Sequence, residues 1–418
     1  MIGSGISGMS AAYFLSRRHE VHLFEKEKRI GGHTHTHLVE DPATGKTIPV
    51  DTGFIVHNDR TYPNLIRLFA ELGVATQASD MSFGVSCQRT GFEYSSRGLS
   101  GFFAQRSNLF RPSHYLFFKE LLRFNRESVK LLDDPSNMNV TMGEYLERQL
   151  FSREFTDRYL YPMSAAVWST SPGQMRDFPA LTLIRFFLNH GFLGINTHPK
   201  WKTLRGGSYR YIAPLTRSYA ANIHTGVEIR TIDRDELGVS LRFADGSTRE
   251  FDHVVFATHG DQVLPLLANP THSERQILSS FRSSTSQTWL HTDTNVLPKR
   301  RPAWASWNYH VNVESREDTS SRGVAVTYDM TRLQSIDSPT RFCVTLNALD
   351  AIDEGRVLRR MEYSHPLYTL DSVRAQARWT EISGHNRTHY CGAYWFYGFH
   401  EDGLNSALRV AKALGVEW

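Results

Sequence analysis

The chain has 418 residues, a net charge of +4, 40% hydrophobic and 22% charged residues. It is long enough for two domains, too apolar for disorder, and too mildly basic to call for a nucleic-acid partner. Cys87, Cys343 and Cys391 are far apart and form no C-x-x-C pair, which argues against a metal site or a disulfide framework and fits a reducing, cytoplasmic compartment. The longest apolar run, Phe178 to Leu193, is interrupted by Arg185, Asn189 and His190, so no membrane span is expected.

The first readable element is a glycine loop. Gly3, Gly5 and Gly8 give the G-x-G-x-x-G spacing, and "MSAAYFLSRR" follows as a helix with small residues at its start. Only Met1 and Ile2 precede Gly3; a loop of this kind normally follows a full buried strand, so the start reads as truncated or misassigned. "HEVHLFEK" then predicts a strand ending at Glu25. That position suits a carboxylate on a ribose, and its charge disfavours a 2′-phosphate. The free N–H groups and positive dipole end of the helix suit a pyrophosphate. The doublet Gly31-Gly32 lets backbone pass close to a large cofactor, and "IPVDTGFIVHN" adds a short strand, Asp51 and Gly53 beside the same site.

From about residue 64 to 200 the pattern is helical and aromatic. "NLIRLFAELG" closes at Gly73, "HYLFFKELLRFNRESVKLL" predicts a longer helix, and "TMGEYLERQL" has Thr141 as N-cap with Glu144 three residues on. A second doublet, Gly206-Gly207, is followed by a predicted helix. The strands "GVEIRTIDR" and "VSLRFADGSTREF" come next, the latter turning at Asp245-Gly246. "DHVVFAT" reads as a buried parallel strand. "WASWNYH", "GVAVTYDM" and "RFCVTLNAL" predict three antiparallel strands. "HYCGA" fits a last buried strand. A loop with Gly392, Gly398 and Gly403 then leads into "DGLNSALRVAKALG", an amphipathic helix ending at Gly415.

GSGISG with Glu25, RIGG at 29–32, the doublet at 206–207, "VVFAT" and the final loop and helix together resemble the flavin amine-oxidase superfamily. "WASWNYH", "TLNAL", "EYSHPLY" and "ISGHNRTHYCGAYWFYGFHEDGLNSALRVA" are similar to a subgroup of FAD-binding proteins associated with cyclopropane-fatty-acid synthases. The resemblance implies an α/β fold. A Rossmann-like FAD-binding domain of the amine-oxidase type would comprise 1–80, 200–265 and 381–418, with an inserted α+β substrate domain over 81–199 and 266–380. It implies non-covalent FAD. Gly3, Gly5, Ser7 and Gly8 would line the pyrophosphate, and Glu25 would hold the ribose. Arg29, Gly31 and Gly32 would lie along the cofactor. Val227 would meet the adenine through its backbone, and Glu401, Asp402, Gly403 and Leu404 would face the flavin pyrimidine.

Ala393 stands where relatives carry an acid, and Phe399, beside Tyr394, Trp395 and Tyr397, leaves an apolar wall suited to a hydrocarbon. The implied function is an FAD-dependent oxidoreductase acting on an acyl chain. The alternatives are a flavin amine oxidase and a non-catalytic flavin-binding partner of a lipid methyltransferase. Phe399 would flank the flavin, and His400, His57, His259 and His365 are the candidate bases, because imidazole titrates near neutrality. Cys391 is expected as a small buried hydrophobe. Gly98 to Phe124 mixes aromatics with Arg106, Arg111, Lys119 and Arg123, the composition of a peripheral membrane contact.

Overall fold

The computed structural model describes residues 1–87, 91–194, 199–311, 325–347 and 349–418. Helix α1 (Ile6–Leu15) begins immediately after Gly5, and most of its side chains are buried. β1 (Leu23–Glu25) follows, then helix α2 (Pro63–Glu71). β2 (Ile223–Thr225) pairs with β1 in parallel, β3 (Val254–Phe256) pairs in parallel with β4 (Thr388–Tyr390), and α3 (His400–Ala413) closes the unit. Ile2 bridges Phe24 on one side and Phe256 on the other, both in parallel, so the loop at Gly3 leaves from between β1 and β3. This is the switch-point geometry in which open α/β sheets bind ligands.

Two large hydrophobic cores divide the described residues, beside a small cluster of Leu297, Trp304 and Cys343. The first gathers α1, β1, β3, β4 and α3, with Met9, Phe14, Leu23, Phe256 and Leu404 fully sequestered. The second lies under a seven-stranded sheet whose order is 357–367, 282–291, 343–346, 326–329, 307–310, 83–87, 92–95. Its pairs are antiparallel except 307–310 with 83–87. The three strands expected from "WASWNYH", "GVAVTYDM" and "RFCVTLNAL" sit side by side there; Gly323, Val324 and Ala348 of those stretches lie outside the described residues. Helices Pro112–Glu127, Met142–Arg148, Tyr161–Trp168 and Ala180–Asn189 contribute the other face of this core. The Thr141 hydroxyl and the Glu144 carboxylate form the capping box that their spacing predicts.

Packing moves the expected domain limits. Ile277, Leu278 and Phe281, assigned above to the inserted domain, belong to the first core, as do Ala375 and Trp379. Val39, Val50 and Ile55 belong to the second. Two element expectations also change. The helix after Gly207 breaks into a single α turn, Ile212–Thr216, between 3-10 turns; Pro214 has no amide to bond back to Arg210, which separates the turn from the one before it. The helix over 114–132 ends at Glu127 and continues as a 3-10 turn to Asp133. Among the described residues no helix is long and apolar enough to cross a membrane.

The sheet formed by 229–234, 239–243 and 248–251 is tied to β4 by a buried ion pair. Arg234 donates to both oxygens of Glu274 at 2.7 and 3.0 Å and to the Thr388 hydroxyl at 3.0 Å, and the Tyr390 hydroxyl donates to Glu274. The two charged side chains are 2% and 3% exposed. Removing one partner strands a buried charge. Glu274→Ala is therefore expected to cost about 3–5 kcal/mol, read as a lowered urea midpoint with an unchanged slope. A variant within 1 kcal/mol of the parent, on the order of a surface pair, would refute this.

Candidate active site

The glycine loop opens on a cleft of about 710 Å³ that runs from Glu25 and Val227 past Gly5 and Ser7 to His365, Phe399 and His400. Gly3 turns the chain with φ +97°, a conformation that side chains resist. A Cβ on Gly8 would lie 2.0 Å from the Gly3 carbonyl, so the helix can close on the loop only without one. Gly5 differs: a Cβ there would meet nothing within 4 Å and would point into open space. That opening suits an extended diphosphate passing the N-terminus of α1.

Glu25 lies at the far end. One of its oxygens accepts from the Ser4 amide (2.9 Å) and hydroxyl (2.6 Å), the other from the Glu27 amide (2.9 Å). The loop thus aims the carboxylate along the cleft, where a ribose diol would use its remaining acceptor capacity. The Val227 amide donates to the Glu25 carbonyl at 3.0 Å, which leaves the Val227 carbonyl as the backbone group to meet a base edge. Arg29 braces the wall, donating to the Gly32 carbonyl at 2.8 Å. Of the doublet, Gly32 lines the cleft and Gly31 lies behind it, its amide bonded to the Ser4 carbonyl at 3.0 Å. Among the described lining residues the charged side chains Glu25, Lys26, Glu27 and Glu228 belong to the segments of the nucleotide end, and Asp261 acts on the His259 ring.

At the other end α3 presents Phe399 and His400, but the residues expected to follow them are used by the fold. Glu401 accepts from the Asn64 and Leu65 amides at 3.0 and 2.8 Å and so caps α2. Asp402 accepts from the Phe399 amide at 2.9 Å. Gly403 allows α3 to touch α1, since a Cβ would lie 2.6 Å from Ile6, and Leu404 is core. None of the four lines the cleft. Cys391 is buried with its thiol pushed up to about 12 by burial, and it does not line the cleft either.

The histidines converge from distant segments. The ring of His400 stacks on Phe54, centroids 3.6 Å apart, and its Nε2 lies 3.0 Å from the Thr34 hydroxyl, which also bonds the Tyr211 hydroxyl. Asp51 and the Gly206-Gly207 turn set this up. Asp51 accepts from the Ser208 amide and hydroxyl, both at 2.9 Å, which fixes the turn carrying Tyr211. His365 lines the cleft, as does His259. His57 does not; it lies behind, edge-on to Phe69 with ring centroids 5.4 Å apart.

His33, unread in the sequence, lies 5.1 Å from the His365 ring and 5.9 Å from that of His259. Its signal was the alternation in "GGHTHTH": a two-residue period puts His33, His35 and His37 on one side of the chain. Burial holds all of these rings neutral, His365 at about 4 with His259 adding to it, His400 at about 3 with His57 adding, and His33 well below the ordinary value. The ring nitrogens His33 Nε2 and His365 Nδ1 have no hydrogen-bond partner among the described residues.

A second chamber of about 200 Å³ adjoins the cleft through His33, His365, Pro366, Gly398, Phe399 and His400, which line both. Trp168, Phe186, His190, Trp201 and Trp307 surround it, and no Asp, Glu, Lys or Arg is among its described lining residues. The Phe399 ring packs on Phe186 at 5.0 Å and Trp168 at 6.2 Å. Met81, Val167, Phe192, Trp201 and Trp307 are shared in turn with a third, mostly apolar cavity of about 1050 Å³ that reaches helix Pro112–Glu127.

Residues 6–415 match the family model described as flavin containing amine oxidoreductase. The chain belongs to this family. It is an FAD-dependent oxidoreductase, and FAD is its cofactor. A search of curated proteins finds no match. Solved structures with the same fold include a putrescine oxidase variant (14% identity, TM-score 0.72, covering 99% of this chain and 98% of that one). Cyclohexylamine oxidase from Brevibacterium oxydans IH-35A shares 15% identity with a TM-score of 0.68, over 99% and 98% of the two chains. A fatty acid isomerase from P. acnes that produces CLA shares 16% identity with a TM-score of 0.67, over 97% and 96%.

Proposed function

We propose that this member of the family takes hydride from a C–H bond of a lipid acyl chain. The observation that carries the reading is the chamber and the third cavity that open from the cleft, both largely apolar and with no carboxylate among their described lining residues. A protonated amine would enter such a chamber with no charge partner, at a cost of several kcal/mol, whereas methylenes gain about 0.8 kcal/mol each by leaving water. The P. acnes fatty acid isomerase, of the same fold, supports a hydrocarbon occupant.

FAD bound in the cleft would supply the two-electron acceptor for the hydride. The chain's own residues do the rest. Phe399, Trp168 and Phe186 hold the alkyl chain flat and exclude water. His33 Nε2 and His365 Nδ1, neutral and without a partner among the described residues where the two cavities meet, are the candidate acceptors of the second proton of a desaturation. His400, engaged by Thr34 and stacked on Phe54, positions the wall.

The test is anaerobic mixing of the FAD-loaded protein with a monomeric long-chain fatty acid or lysophospholipid, and separately with putrescine and cyclohexylamine, while following flavin absorbance. Bleaching by the acyl compounds alone is expected. Bleaching by an amine and not by any acyl chain would replace the proposal with an amine oxidase.

A further inference from the structure

Leu99 and Phe110 are 78% and 87% exposed, and Tyr115, Leu116, Phe118 and Leu122 stand exposed on the helix that follows. Neither hydrophobic core includes them. A patch of this kind marks an interaction surface. Its charge points to one kind of partner. Residues 97–127 carry six basic residues and two acidic, against a net +4 for the whole chain. Arg97, Arg106, Arg111 and Lys119 are exposed. Both acids are already occupied, Glu120 by Arg123 at 3.7 Å and the Ser152 amide at 2.9 Å, and Glu127 by Arg126 at 2.7 Å.

The patch also lies at the mouth of a cavity. Phe118 and Leu122 are exposed on one side and line the cavity of about 1050 Å³ on the other; Arg97 and Lys200 stand on the same rim. Apolar side chains ringed by basic ones insert at the headgroup boundary of a bilayer, where the cations meet anionic lipid.

We infer that this surface docks on an anionic phospholipid bilayer and that the cavity behind it receives an acyl chain directly from the membrane. The docking deepens the function proposed above, and its acyl-chain half rests on that function.

The test uses the full-length, FAD-loaded protein and flotation with vesicles of phosphatidylglycerol or phosphatidylcholine. Binding to phosphatidylglycerol that weakens as salt rises is expected, with at least about tenfold weaker binding to phosphatidylcholine. The double variant L99E/F110E changes two side chains that face solvent. It is expected to lose vesicle binding about tenfold or more while keeping its flavin spectrum, its melting temperature and its reaction with monomeric fatty acid.

Equal binding by parent and double variant would overturn the docking. So would a stable dimer in light scattering that the double variant disperses, because the patch would then be a protein interface. Flavin reduction by monomeric fatty acid without vesicle binding would remove the docking and leave the function standing. Vesicle binding with no reduction by any acyl chain would overturn the acyl-chain half.

Discussion

Replacing Gly5 with valine is expected to abolish FAD retention while leaving the fold intact; replacing Gly8 with valine is expected to abolish both. The two glycines stand three residues apart in one motif and do opposite work. At Gly5 the backbone has φ −64° and ψ 178°, which any residue adopts. The space a Cβ would fill is the cleft itself. Valine there costs the apoprotein little, but its methyls occupy the volume in which a pyrophosphate approaches the amides of α1. The affinity for FAD should fall by at least about a hundredfold, roughly 2.7 kcal/mol.

At Gly8 any Cβ overlaps the Gly3 carbonyl and crowds Ala257. The loop must then move off the strands, at a cost of several kcal/mol. The measurement is the ratio of flavin to protein absorbance after purification, together with the melting temperature of each apoprotein. A Gly5→Val protein that retains FAD like the parent would sink the placement of the pyrophosphate.

The contrast also shows what a sequence can carry. The glycine spacing, the strand ending at Glu25 and the Thr141 cap were legible because each is local: a tight turn, a period and a capping box leave their residues close together in the chain. The active end was less legible because it is assembled from afar. His33 comes from the segment after the first glycine doublet and His365 from an edge strand of the other sheet, and only closure of the fold puts their rings 5.1 Å apart. His57 looked equally good in sequence, yet β-strand register turns it toward Phe69 and away from the cleft.

Glu401 and Asp402 stand in the first turn of α3 as expected, but their side chains are engaged by the fold. Acids at a helix N-terminus satisfy a dipole, and sequence cannot say whose. Glu401 satisfies the first amides of α2, more than three hundred residues earlier in the chain. The apolar chamber was foreseen as a wall around Phe399, but Trp168, Phe186 and Trp201 reach it from segments whose aromatics read only as packing.

Acidification from pH 7 to 5 is expected to destabilise the protein steeply. Burial is the leading cause that depresses many of the histidines, and seven of them carry much of the effect: His57, His190, His291, His310, His365 and His389 sit at about 4, and His400 at about 3. In the unfolded chain each titrates near 6.5. Below that value the unfolded state binds protons that the folded state refuses, so stability falls as pH falls, and keeps falling until about pH 4.

Each group can contribute up to about 2 kcal/mol between pH 6.5 and 5, at about 1.4 kcal/mol per unit. Half that amount from all seven is about 7 kcal/mol, a large share of the 5–15 kcal/mol that holds a domain together. Buried carboxylates oppose the trend, Asp51 and Asp402 foremost, with Asp157, Asp329 and Glu401 raised in the same direction. Burial raises Asp51 to about 6 and Asp402 to about 7, so the folded state binds protons there that the unfolded state has released. Together Asp51 and Asp402 return about 3 kcal/mol at most over the same interval, less than the histidines remove.

Urea midpoints at pH 7, 6 and 5 decide the matter. His310→Gln, in a ring whose Nε2 lies 2.8 Å from the Thr327 hydroxyl, should flatten the curve by about 1–2 kcal/mol, because an amide keeps a polar partner there and cannot take a proton. A midpoint independent of pH over this range would mean that the buried rings are reached by water and titrate normally. The neutral imidazoles argued for His33, His365 and His400 at the active site would then lose their basis.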